Sequence, residues 1–324
     1  MAKRNPDLPK PKPLIFSKKE IFSRLKKLDK SATATKRILK LETGFRNKIA
    51  THLAALPTKR SNLRKFNTSP YVLLIHSFKN KYTSLSEIEG DILPAKEFSS
   101  METSAGRMIE EVALPIYGWK GVPSSMHTTN SALDGLCKKG ETIKLVTLKS
   151  GPRCLNDEMS ENFADAIVNN VVNWAKSNSA NHVEFTYGVL YGTKKQSNKK
   201  DWHILRNLTS KLPKENFTVF PKGIWTCSFK LKEIQVDVNI RIGEDWWTYL
   251  GNKNTLLEIA VALIRATVHP SSIPQKKPKY SIGDLEAICS IDNLEKKYNI
   301  ALLQKSQFEW LLLFLYHFCD EIEE

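Results

Sequence analysis

The sequence predicts an α/β protein with a mixed central sheet flanked by helices and with helical extensions at both ends. Three observations carry this. Residues 133–137 and 142–149 are apolar stretches joined by the turn-like run Lys138-Lys139-Gly140-Glu141, which reads as a β-hairpin. A helical stretch at 160–176, with Phe163, Ile167, Val171 and Trp174 on one face, leads into a strong strand at 182–191. At both ends the apolar residues recur at helical spacing.

The elements follow in order. Residues 1–13 are rich in Pro and Lys and predict an arm that is either ordered on contact or simply loose. Two basic amphipathic helices come next, with stripes Ile21, Phe22, Leu25, Leu28 and then Ile38, Leu41, Phe45, Ile49, Leu53. Their other faces carry Lys18, Lys19, Lys26, Lys27, Lys36, Arg37, Lys40 and Lys48, either to meet a polyanion or simply to be solvated. Residues 57–69 read as a linker, 71–78 as a short apolar stretch and 104–117 as a helix. Beyond the central strands, 192–200 is a basic loop, and 202–208, 218–220 and 236–242 are strand candidates. Residues 256–268 predict a helix, 269–279 a linker, and the last forty residues are helical. The division expected is a basic helical arm at 1–69, a core at 70–268, and a linker with a helical segment at 269–324.

Charge supports the first boundary. Residues 1–65 hold 19 Lys and Arg against 4 Asp and Glu, a net of +15 that equals the charge of the whole 324-residue chain. A neutral body with a basic N-terminal fifth points to a polyanionic partner. The start has no apolar signal-peptide core, and the longest apolar run, 310–319, is too short to span a bilayer, so no membrane role is expected. Cys137, Cys154, Cys227, Cys289 and Cys319 include no CxxC pair, which argues against a zinc site or disulfide framework and for a reducing cytoplasm. No GxxxxGK[ST] loop is present, so ATP is not expected.

The hairpin carries the chemistry. Asp134 sits in an apolar run, where an unpartnered carboxylate is costly. Lys149 ends the second strand, and antiparallel pairing brings the two to one edge of the sheet. Such a carboxylate holds a divalent cation that activates water and the scissile phosphate, while the ammonium offsets developing charge. The plain alternative is a cross-hairpin salt bridge of little energetic weight. Glu110 and Glu111, on the helix at 104–117, can reach the same edge.

These residues, Asp134 with LVTLKSGP from Leu145, resemble the active-site hairpin of the PD-(D/E)XK nucleases. More specifically they resemble type II restriction endonucleases of the branch that cuts GGNCC-containing sites. Four further segments are similar in the same order: GRMIEEVALP from Gly106, YGVLYG from Tyr187, DWHILR from Asp201 and GEDWWTYL from Gly243. The resemblance covers about residues 100–265. It implies Asp134 as the metal-binding aspartate, Lys149 as the motif lysine, Glu110 with its neighbour Glu111 as the helix acid, and the Leu148 carbonyl as a further ligand to magnesium. It also implies a homodimer acting on duplex DNA in a bacterial cytoplasm. Two positions depart: Thr147 stands where the motif's second acid belongs, and Leu133 replaces its proline. Glu110, Glu111 or Glu161 are the candidates to supply the missing acid.

Arg153 and Ser150, beside the motif lysine, and Lys194, Lys195, Lys199 and Lys200 in the basic loop are candidate DNA contacts, against simple loop residues. Trp246 and Trp247 read as core, and His127 and His203 as structural. The competing reading is a non-catalytic nucleic-acid-binding protein with a degenerate nuclease fold, favoured by Thr147. A peripheral membrane protein is a weaker third.

Overall fold

The computed structural model describes residues 7–66, 69–127, 133–269, 280–291 and 293–324. Its centre is a six-stranded mixed sheet in the order β2-β3-β4-β7-β6-β5. The strands are β2 (Gly135–Lys139), β3 (Thr142–Lys149), β4 (His182–Val189), β5 (Phe217–Val219), β6 (Thr226–Leu231) and β7 (Ile234–Ile242). β2 and β3 form the expected antiparallel hairpin, with Gly135 opposite Val146. β3 runs parallel to β4, and β4 to β7. The β3–β4 crossover is α5 (Asp157–Ser177), opened by the Asn156 side chain accepting from the Met159 N–H at 2.8 Å.

Strand alternation divides the core into two layers. Ile143 and Leu145 of β3 join Phe163, Ile167, Val171 and Trp174 of α5 on one face, together with Leu205 and Leu208 of α6 (His203–Lys211). Val146 and Leu148 face the other way. They pack in a layer built from α1 (Lys18–Asp29), α2 (Ala32–Ala54), α4 (Leu85–Ile116), α7 (Glu244–Leu250), α8 (Thr255–Thr267) and α11 (Lys305–Tyr316). The short helices α9 (Leu285–Cys289) and α10 (Leu294–Tyr298) precede α11. β1 (Ile15–Ser17) pairs in parallel with β8 (Glu321–Glu323), tying the two ends of the chain together.

The second layer crosses the boundaries expected at 69 and 269. Ile21, Phe22, Leu25, Ile38, Leu41 and Phe45 are buried against α8 and α11. Part of the basic charge on these helices is turned inward. The Lys18 ammonium donates to the Ala287 carbonyl at 2.9 Å. Arg37 makes a two-pronged contact with the buried Glu258 at 2.6 and 2.7 Å, and the Tyr117 hydroxyl donates to the same carboxylate at 2.8 Å. Burial and the Glu258 charge push the Tyr117 phenol far above its ordinary value.

Several elements differ from expectation. Residues 202–208 are helical, because Trp202, Leu205 and Leu208 at three-residue spacing form a face that packs on α5. The helix expected at 104–117 begins nineteen residues earlier, at Leu85, where the capping Ser84 N–H donates to Glu87 Oε2 at 2.6 Å in an S-x-x-E start. The apolar stretch at 71–78 is a helix, α3 (Pro70–Asn80), with proline at its first position. The linker expected at 269–279 lies, but for its first residue, outside the described residues. No helix among the described residues is long and apolar enough to cross a membrane.

Candidate active site

The site forms where α4 crosses the end of the β2–β3 hairpin. Two close approaches fix the crossing. A Cβ on Gly106 would collide with the Ser150 hydroxyl just beyond β3, and a Cβ on Gly135 would press on Leu114 and Val146. Only the absence of side chains at these positions lets helix and hairpin meet so closely. Glu110 lies between Gly106 and Leu114, one turn from each, and is thereby held over the end of the hairpin.

Asp134 immediately precedes β2. Its N–H donates to the Val146 carbonyl at 2.8 Å, and its Oδ2 accepts from the Leu148 N–H at 2.6 Å. Continuing the hairpin register by one residue sets Asp134 opposite Thr147. Burial raises the Asp134 carboxyl above its ordinary range, opposed by the Leu148 hydrogen bond and by the charges of Lys149 and His127. Lys149 is half-buried, its ammonium 6.0 Å from the centre of the Phe163 ring on α5. Glu110 is pushed up to about 8, first by burial, then by the Asp134 carboxylate, with Lys149 acting in the opposite direction. Asp134, Lys149 and Glu110 therefore share one electrostatic environment. Asp134 and Glu110 open on a cleft of about 690 Å³ that Glu111, Arg107, Lys48 and Trp119 also line in part.

This donor set fits a hard divalent cation. Two carboxylates that resist joint ionisation are relieved by a positive ion between them, and magnesium is commonly held by one or two carboxylates with the remaining positions left to water and phosphate. In an extended strand the N–H and C=O of one residue point the same way, so the Leu148 carbonyl faces the edge on which the Asp134 carboxylate lies. Among the described residues no third acidic, His or Cys side chain completes a metal cluster. Thr147, fully buried, holds the position where the motif would place one.

Of the other expected site residues, Glu111 lines the cleft but is engaged, accepting from Lys48 at 2.5 Å and from Arg107 at 2.9 Å. Both contacts lower its carboxyl. Glu161 is not brought to the site. It lies on the outward side of α5, 3.5 Å from Lys211, because the face bearing Phe163 and Ile167 is the one turned to the sheet. Ser150 is exposed against Gly106, and the Arg153 guanidinium donates to the Gln196 carbonyl at 3.1 Å. The basic loop is largely tied to its own chain. Lys194 pairs with Asp245 at 2.6 Å, Lys200 with Asp157 at 2.6 Å, and the Lys199 ammonium donates to the Lys194 carbonyl. Lys195 is exposed. Trp246 and Trp247 are buried, as expected. Arg107, which lines the cleft, is not announced by the sequence, and Lys48, expected only on a basic helix face, lines it as well. Nothing in sequence links Lys48 to Glu111, 63 residues away.

A mixed sheet carrying an Asp–Lys hairpin and a glutamate from a crossing helix defines a nuclease core of the restriction-endonuclease type. The family model described as type II restriction endonuclease EcoO109I matches residues 40–211, more than half of the chain. The chain belongs to that family: it is a type II restriction endonuclease, a phosphodiester hydrolase that binds and cuts double-stranded DNA. The match begins within α2, well before the region expected from resemblance, and stops short of the aromatic segment at 243–250. No curated protein matches the sequence.

Proposed function

We propose that this chain is a magnesium-dependent, site-specific endonuclease that acts as a homodimer on a short, nearly palindromic duplex sequence with a GGNCC-like core. The observation that carries the chemistry is that Glu110 and Asp134 line one cleft at the end of the hairpin strand that Lys149 terminates. Asp134, Glu110 and the Leu148 carbonyl would hold the cation. Bound there, it supplies Lewis-acid activation of the scissile phosphate and a water of lowered pKa. Asp134 is oriented by the Leu148 N–H. Lys149, on the rigid end of β3, offsets charge developing on the phosphate or positions the attacking water. Arg107 and Lys48, both paired with Glu111, leave one net positive charge along the cleft, where a DNA backbone would pass. The GGNCC-like core rests on resemblance, and the homodimer on the two-fold symmetry of such a site.

The buried Thr147 favours the competing reading of a degenerate, DNA-binding relative. Glu110 answers it by supplying an acid from the helix. Digestion of a long phage DNA with magnesium and with EDTA separates the two. Discrete fragments only with magnesium are expected, and mapping their ends gives the site and overhang. Salt-sensitive binding with no cleavage would sink the catalytic reading.

A further inference from the structure

The hairpin formed by α3 and the first half of α4 buries Ile88 but leaves most of its larger apolar side chains exposed. The hydrogen bonds between its two arms converge on one carboxylate. Asp91 of α4 accepts from the Tyr82 hydroxyl at 2.6 Å and lies 2.9 Å from the His76 ring nitrogen of α3. Six of the hairpin's larger apolar residues are largely exposed. Tyr71 is 76% exposed, Leu74 71%, Ile75 69%, Phe78 87%, Leu85 85% and Phe98 64%, and α3 buries no residue. A helix of eleven residues is marginal in water without packing on one face. Within the subunit α3 therefore lacks the buried face that usually stabilises a helix of this length.

We infer that this surface is where a second copy of the chain docks, α3 and the first half of α4 of one protomer packing on the same helices of its partner about a two-fold axis. The inference rests on the homodimer of the proposed function and assigns its interface. Three features select this occupant. Tyr71, Leu74, Ile75 and Phe78 share one face of α3 and expose an apolar area on the order of 600 Å², the lower end of what each partner contributes to a stable interface. DNA is a poor fit: α3 carries one formal charge, Lys79, and the first half of α4 carries Glu87, Glu89, Asp91 and Glu97 against Lys96. In chain order the apolar helix is preceded by Lys59, Arg60, Arg64 and Lys65 and followed by those acids, so the region holds both signs that a self-complementary two-fold contact needs. α4 runs unbroken from this surface to Glu110, so docking also fixes how the two sites are spaced on the duplex.

The test is the mass of the wild-type chain and of a Leu74→Glu, Phe78→Glu variant, by sedimentation over a wide concentration range without DNA or magnesium. The wild type is expected at twice the 36.9 kDa chain mass, and the variant at the chain mass with unchanged far-ultraviolet circular dichroism. The dissociation constant should rise roughly 1,000-fold or more. A variant that stays dimeric, a wild type monomeric throughout, or a monomer that instead sediments with anionic lipid vesicles overturns the assignment. Should the variant not fold, amide exchange on the wild type decides. Protection of 70–101 that rises with concentration supports the interface, and protection independent of concentration overturns it. Because the mass is read without DNA, a dimer through this surface that cuts nothing would count only against the nuclease reading.

Discussion

Replacing Glu110 by Gln separates what the site does for catalysis from what it costs the fold. In the metal-free protein the Glu110 carboxyl is pushed up to about 8 by burial and by Asp134, from an ordinary 4.5. The sign follows from linkage. Below about pH 4.5 the carboxyl is protonated in both folded and unfolded chains, and no penalty exists. Between that value and about 8 the unfolded chain releases the proton while the folded chain keeps it, so stability falls as pH rises. Above about 8 the penalty is complete. A shift of this size corresponds to at most about 5 kcal/mol, and screening in the open cleft reduces it to about 3 kcal/mol.

Glutamine does not titrate, so the variant escapes the penalty. Without metal it should match the wild type near about pH 5 and melt roughly 5 °C higher near about pH 8.5. Magnesium should narrow the gap by stabilising the wild type alone, and cleavage should fall on the order of 100-fold or more. Thermal melts at the two pH values, with and without magnesium, read all of this. A gap that does not change with pH, or a variant less stable than the wild type at the higher pH, would refute the shared environment of Glu110 and Asp134.

Three further outcomes follow from the same geometry. Lys149→Ala and Asp134→Asn should each lower cleavage by more than about 100-fold while retaining salt-sensitive DNA binding, measured by fluorescence anisotropy. Gly106→Ala should press α4 off the Ser150 hydroxyl and slow cleavage, and the added Ser150→Ala should recover most of the loss; a double variant as slow as the single one would exclude this contact as the cause. Glu258→Ala strips Arg37 and Tyr117 of their shared acceptor, and should cost about 3 kcal/mol in urea unfolding.

The parts of this fold legible in the sequence are those governed by local periodicity. The β2–β3 hairpin, α5 and β4 follow from alternation and the α5 stripe, and Lys149 follows from its place at a strand end. Residues 202–208 misled because a short amphipathic helix and a short apolar strand both read as a compact apolar run. Glu161 could have been excluded in advance, since it stands two residues from Phe163 and so on the far side of the helix from the stripe. Other features depend on contacts between distant positions. The β1–β8 pairing and the Arg37–Glu258 contact join residues more than 200 apart, and no local pattern announces them. The N-terminal charge was visible, but its use was not: Lys18, Arg37 and Lys48 bind their own chain before they can meet DNA.

Thr147 gives the site its logic. It is buried opposite Asp134, and a carboxylate there would be a third acid in a space where the second is already held protonated to about 8. The space tolerates an acid from the strand or from the helix at lower cost than both together. The Gly106–Ser150 approach brings the helix close enough for Glu110 to take the role, and Thr147 fills the strand position without charge. Thr147→Glu alone should therefore lower metal-free stability, the loss growing as pH rises, and should leave cleavage no better than wild type. Combined with Glu110→Gln it moves the acid from helix to strand, and should recover at least about 10-fold of the cleavage that Glu110→Gln loses. A folded double variant no faster than Glu110→Gln alone would show that the two positions are not interchangeable sources of the same ligand.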